Sequence, residues 1–161
     1  MKKIIVTIDG PAASGKEKIA KFISRKWNLD HLDSGVLYRQ IALSVKKNGV
    51  NPKSEKDIGK LINTIKKLSF KKNKNLRTEE ISKISSKIAV FGSVRNFVNQ
   101  FQRKYTELKN NNNKGYVIDG RDIGSVVFKK ADLKLYIDVN EENRAKRRYK
   151  QLIDTGEKSI Y

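Results

Sequence analysis

The stretch Lys3-Ile4-Ile5-Val6-Thr7-Ile8-Asp9-Gly10-Pro11-Ala12-Ala13-Ser14-Gly15-Lys16 constrains this chain more than any other. Ile4, Ile5, Val6 and Ile8 form a short, β-branched apolar run that stops at Asp9-Gly10. Such a run predicts a buried strand of a parallel sheet. G-x-x-x-x-G-K follows, with Gly10, Gly15 and Lys16 in the fixed places. Amphipathic spacing resumes at Ile19, Ala20, Phe22, Ile23 and Trp27, which predicts a helix starting beside Lys16. Strand, glycine loop and helix in that order are the context of a phosphate-binding loop. Glycines let the backbone fold tightly, so that several N–H groups converge on phosphate oxygens. The helix N-terminus adds partial positive charge and Lys16 a full one. An ordinary glycine-rich turn is the plain alternative, and the flanking strand and helix weigh against it.

The residue after the lysine breaks the pattern. Where a Ser or Thr hydroxyl usually holds Mg²⁺, this chain has Glu17, then Lys18. Neither is a neutral hydroxyl ligand, and Glu17 sets a negative charge close to bound phosphates. The loop therefore predicts phosphate binding more strongly than fast phosphoryl transfer.

At 161 residues the chain is one domain, or one domain with a lobe. It has no cysteine, which excludes disulfides and thiolate metal sites, and its single His31 excludes a multi-histidine site. No apolar run reaches membrane-spanning length, and no signal-peptide pattern precedes the first strand, so a cytoplasmic, soluble protein with no membrane partner is expected. The net charge of +19 raises nucleic acid as a rival partner. The cations are mostly lysines scattered through every segment, without an aromatic-interleaved stripe, and read as a solvated basic surface.

Downstream, Leu29 to Leu32 predicts a second short strand, and Asp33-Ser34-Gly35 a turn. A helix follows with Leu37, Tyr38, Ile41, Ala42 and Val45 on one stripe. Ser34, Tyr38 and Arg39 fall at its start, where an anion can be held. Asn48-Gly49 closes it. Ser54 is the expected N-cap of the next helix, with Ile58, Leu61, Ile62, Ile65 and Leu68 on its face. Residues 71–75 read as a polar loop. A helix from Thr78 shows Ile81, Ile84, Ile88 and Phe91, and Gly92-Ser93 breaks it. Ser93 is then the expected cap of a helix turning Val94, Phe97, Val98, Phe101, Tyr105 and Leu108 inward. Arg95 lies at the start of that helix, where the dipole disfavours a cation unless a ligand compensates. Asn110 to Asn113 read as a low-complexity turn. Tyr116-Val117-Ile118-Asp119 is a further strand, which delivers Asp119, Arg121 and Asp122 to a carboxyl edge, where open α/β sheets bind ligands. Residues 133–139 make another strand, and Asn140 caps a last helix carrying Arg144, Arg147 and Arg148. Those arginines either clamp phosphates or are simply solvated.

Taken together, Gly10 to Lys16, Leu32-Asp33-Ser34-Gly35-Val36-Leu37-Tyr38-Arg39, Leu76-Arg77-Thr78, Ile118-Asp119-Gly120-Arg121-Asp122-Ile123-Gly124 and Arg144-Ala145-Lys146-Arg147-Arg148 resemble the blocks of bacterial cytidylate (CMP/dCMP) kinases, in the same order. The resemblance implies an α/β P-loop three-layer fold, a parallel sheet flanked by helices, with a mostly helical acceptor-binding lobe at about residues 36–108. It implies that Gly10, Pro11, Ala12, Ala13, Ser14, Gly15 and Lys16, with Glu17 and Lys18, hold the phosphates of ATP. Arg39 and Arg121 would take the acceptor phosphate, while Ser34 and Tyr38 line the CMP or dCMP site. Ser86, Arg95 and Asp122 would read cytosine. Lys16, Arg121, Arg144 and Arg148 would be catalytic, and Asp119 would organise Mg²⁺ or its waters. The implied activity is transfer of the γ-phosphoryl group of ATP to CMP or dCMP by a monomer.

Three departures accompany the resemblance. Glu17-Lys18 replaces Gly-Thr, residues 69–77 are shorter than the relatives' β-rich insertion, and the sequence ends at Tyr161, before the distal lid and last core elements. These lead to an expectation of slow or undetectable phosphoryl transfer. The rival from another class is a catalytically impaired P-loop protein that binds nucleotide or RNA.

Overall fold

The computed structural model describes residues 3–65, 67–71, 73–108 and 114–154. β1 (Ile4–Asp9) takes the apolar run, and its last four residues are buried, as a strand paired on both sides requires. On one side lies β3 (Gly115–Gly120), parallel and in register from Ile4 beside Gly115 to Asp9 beside Gly120. On the other lies β4 (Leu133–Tyr136), from Val6 beside Leu133 to Asp9 beside Tyr136. β2 (Asp30–Asp33) extends the sheet beyond β3, giving the order β2-β3-β1-β4. The register brings the carboxyl ends of β1, β2 and β3 to one edge.

The chain divides into two compact units, Met1–Ser34 with Arg103–Tyr161, and Gly35–Gln102. The first holds the sheet, α1 (Lys16–Trp27) and α6 (Glu141–Asp154). Ala20 and Ile23 of α1 pack on Val6, Ile8, Leu29 and Val117. Full burial stabilises each large aliphatic side chain there by about 1.5–3 kcal/mol. Phe22, expected on that stripe, is 63% exposed. It lies two residues from Ala20, about 200° around the helix, and so faces away from the sheet.

The second unit is helical. It comprises most of α2 (Ser34–Lys47) and α5 (Gly92–Glu107), with α3 (Glu55–Thr64) and α4 (Glu79–Ile88) between them. Leu37, Ile41, Val45, Ile58, Ile81 and Val94 form its buried centre. Ser54 and Thr78 cap α3 and α4, accepting from the N–H groups of Asp57 and Ile81. Asn99 and Gln102 are buried polar residues of α5 that the apolar pattern leaves unannounced.

Several local expectations need correction. No turn separates Asp33 from α2; the strand runs directly into the helix at Ser34, whose hydroxyl donates to the Asp119 carbonyl at 2.7 Å instead of to a local turn. Ser93 does not cap α5, which already begins at Gly92; its N–H and hydroxyl both donate to Glu55 Oε1. Leu68 is buried but lies past the end of α3, and Leu108 is 57% exposed beyond α5. Lys74–Leu76 forms a 3₁₀ turn within the expected loop region, and β4 stops at Tyr136. The Asn110–Asn113 turn lies outside the described residues. Among the described residues no helix is long and apolar enough to cross a membrane.

Candidate active site

The glycine loop leaves β1 at Gly10, where an added Cβ would collide with the Ile137 carbonyl, so the backbone passes β4's exit more closely than a side chain allows. Ala13 (φ 58°) and Gly15 (φ 92°) are both left-handed. A left-handed Ala costs roughly 1–2 kcal/mol, and such strain collects at functional loops. Alternating handedness turns successive N–H groups toward one point and makes an anion-binding concavity. Gly15 is also the N-cap of α1, and among the described residues no side chain caps that end. A helix start that opens from a glycine loop is a ready anion-binding position. Ser14 Oγ is buried with no hydrogen-bond partner among the described residues. An orphaned hydroxyl inside the loop is a further donor for a phosphate oxygen. Lys16 Nζ folds back onto the Pro11 carbonyl at 3.0 Å. Glu17 pairs with Lys21 one turn on, at 2.9 Å. An acidic residue in the first turn also suits the helix dipole.

Asp9, unmarked by the sequence reading, ties the loop to the segment after β3. Its carboxylate is buried and accepts from Ile123 N at 2.7 Å and from Gly124 N at 2.8 Å. Those two amides begin a short π-helix, Ile123–Val127, with the Asp122 carbonyl accepting from Val126 N. Single π turns recur at functional sites, where they re-aim the residues before them. A Cβ at Gly120 would meet Ser34 Oγ and Ile123, and one at Gly124 would meet Thr7 Oγ1, each at 2.5 Å. Arg121 is exposed and Asp122 half-buried at this edge, next to where β1 releases the loop.

Asp33 and Asp119 are register neighbours at the ends of β2 and β3. Asp119 Oδ1 lies 2.6 Å from His31 Nε2. Burial pushes the Asp119 carboxyl above its ordinary value and the Asp33 carboxylate adds to this, while the His31 hydrogen bond and the Lys16 charge pull it down. The expected site residues Lys16, Asp119, Arg121 and Asp122 thus share one sheet edge. Ser34 is there too, with its hydroxyl proton committed to Asp119.

α6 places its three arginines in different settings. Asn140 caps the helix by accepting from Asn143 N at 2.9 Å. Arg144 turns back to the Val139 carbonyl and lies 3.7 Å from Glu141. Arg147, one of the three arginines named on this helix but given no role by the resemblance, donates to the Ser14 carbonyl at 2.8 Å. Arg148 is half-buried and makes no hydrogen bond or ion pair among the described residues. The run of basic residues was the only signal for Arg147. Tyr38 and Arg39 are half-buried on α2, Ser86 is exposed on α4, and Arg95 is half-buried in the first turn of α5; all four belong to the helical unit.

Comparison with known proteins adds to this geometry. Residues 6–161 match the profile of the family described as "Cytidylate kinase". A cytidylate kinase of Nitrosomonas eutropha is 38% identical over 161 residues, covering 94% of this chain and 70% of its own length. One of Fusobacterium nucleatum is 38% identical over 164 residues, with coverages of 96% and 72%. One of Clostridioides difficile is 34% identical over 166 residues, with coverages of 97% and 74%.

Proposed function

The chain belongs to the cytidylate kinase family, and from that premise we propose how its residues divide the transfer of the γ-phosphoryl group of ATP to CMP or dCMP. The observation that carries the assignment is the Asp9 clamp, which brings the start of the glycine loop and the Asp119–Asp122 segment to one sheet edge. Gly10 to Lys16 cradle the donor phosphates, with Ser14 Oγ and the head of α1 as donors and Lys16 as the full charge. The attacking group is already a phosphate oxygen, so alignment and positive charge supply the catalysis. Arg121 and Arg39 take the acceptor phosphate, and Arg144 and Arg148 approach the transferring group from α6. Ser34 and Tyr38 line the acceptor site, Ser34 as an acceptor only. The helical unit Gly35–Gln102 is the acceptor lobe, in which Ser86 and Arg95 read the base together with Asp122. The proposed working form is a monomer.

Mg²⁺ fits the donor set. Asp33 and Asp119 are neighbouring hard oxygen donors, which Mg²⁺ prefers. Asp119 is the residue proposed to hold the ion or its water shell. When bound there, the ion would supply positive charge to offset that of the donor phosphates.

Two expected outcomes check these roles. An aspartate suits cytosine because N4 donates, whereas uracil offers an acceptor there. CMP is therefore expected to bind more tightly than UMP, and Asp122→Asn to erode a preference worth about 1–3 kcal/mol. Calorimetric titration with both nucleotides measures this; equal binding by the unaltered chain would remove the base-reading assignment. Arg147→Ala is expected to weaken ATP binding about five- to tenfold, the worth of roughly 1–1.5 kcal/mol for its bond to the loop. Lys146→Ala, which loses only an exposed pair with Glu142, is the matched control. Equal affinities of the two variants would show that Arg147 does not support the loop.

A further inference from the structure

His31 and Asp119 form a buried pair whose histidine none of the roles above uses; their side chains are 12% and 6% exposed. On β2 and β3, His31 lies beside Val117 and Asp33 beside Asp119. Alternate residues of a strand share a face, so His31, Asp33 and Asp119 look to the side that α1 covers. That side ends at the head of α1, where Lys16 and the glycine loop lie. Asp119 Oδ1 is engaged by His31 Nε2 at 2.6 Å, while Oδ2 makes no hydrogen bond among the described residues. A carboxylate that rotates freely offers either oxygen in a range of directions. One held at Oδ1 offers a single oxygen in a fixed plane, which suits a cation that demands near-octahedral geometry.

We propose that His31 is a positioning residue for the divalent cation that accompanies the donor nucleotide: it pins Asp119 Oδ1 and leaves Oδ2 for the cation or a water in its shell. The inference rests on the assignment of Asp119 to the metal. Hydrogen-bond partners of ligating carboxylates set metal affinity, and their loss typically costs about 10–100-fold. A glutamine at position 31 carries an N–H donor near the place of Nε2. An asparagine is too short to reach Oδ1.

The test uses Mn²⁺ as the probe on the full chain with saturating ADP, free Mn²⁺ being counted by electron paramagnetic resonance. His31→Asn is expected to weaken Mn²⁺ about tenfold or more, and His31→Gln to stay within about threefold of the unaltered chain. Metal-free ADP affinity is expected to be unchanged in both, which a general loosening of the fold would not leave so. Should His31→Asn fail to fold, His31→Leu takes its place as an apolar filler without a donor. Unaltered Mn²⁺ affinity in the donor-less variant, or equal loss in it and in His31→Gln, overturns the proposal. Asp119→Asn separates the two readings. If it weakens Mn²⁺ while His31→Asn does not, only the role of His31 falls; if it too leaves Mn²⁺ unchanged, the metal assignment of Asp119 falls and the proposal with it.

Discussion

Replacing Lys16 by alanine is expected to lower kcat/KM for CDP formation by about 10²–10³-fold, the scale seen when one preorganised charge-stabilising donor is removed. Lys16 Nζ rests on the Pro11 carbonyl at the mouth of the loop and acts electrostatically on Asp119 below it. In the proposed role a short swing would carry its ammonium from that carbonyl to a phosphate oxygen, where charge accumulates during transfer. In a site shielded from water such a contact is worth far more than at the surface. Lys60 on α3 is the control, because it is exposed and belongs to the helical unit. Steady-state kinetics with varied ATP measure both variants. A Lys16 variant no worse than the Lys60 one would mean that the loop is only a turn.

Asp9→Ala is expected to be the most destabilising single change at the sheet edge. It strands the N–H groups of Ile123 and Gly124, both in buried residues, and each unsatisfied donor costs about 1–3 kcal/mol. The sum, roughly 2–6 kcal/mol, lowers Tm by about 5–20 °C for a chain of this size. It also frees the segment that carries Arg121 and Asp122, so activity should fall further than the loss of folded protein accounts for. Thermal unfolding and single-turnover rates on the folded fraction separate the two effects. A Tm within about 2 °C of the unaltered chain would contradict the clamp.

What could be read from the sequence follows the range of the interactions. β1, the glycine loop and α1 are written in consecutive residues whose period and turn chemistry decide the backbone, and they stand where the pattern put them. The Ser54 cap acts within three residues and is equally legible, whereas Thr78, expected as the start of its helix, is that helix's cap. Asp9 was not, because its partners lie 114 and 115 residues away and its own neighbours mark only the end of a strand. His31 likewise gains its meaning from Asp119, 88 residues on. The turn expected at Asp33-Ser34-Gly35 failed because local propensity cannot foresee the Asp119 carbonyl that takes the Ser34 hydroxyl. Among the α6 arginines, composition shows a basic helix, but the rotation of that helix decides that Arg147 is the one on the Ser14 carbonyl.

The most direct test of the account is the identity of the product. The chain is incubated with ATP, Mg²⁺ and one acceptor at a time, and the nucleotides are separated by anion-exchange chromatography. The account predicts ADP and CDP in equal amounts from CMP, and ADP and dCDP from dCMP, with UMP converted about tenfold or more slowly. Formation of ADP without CDP, no conversion at all, or conversion of UMP as readily as CMP would contradict it.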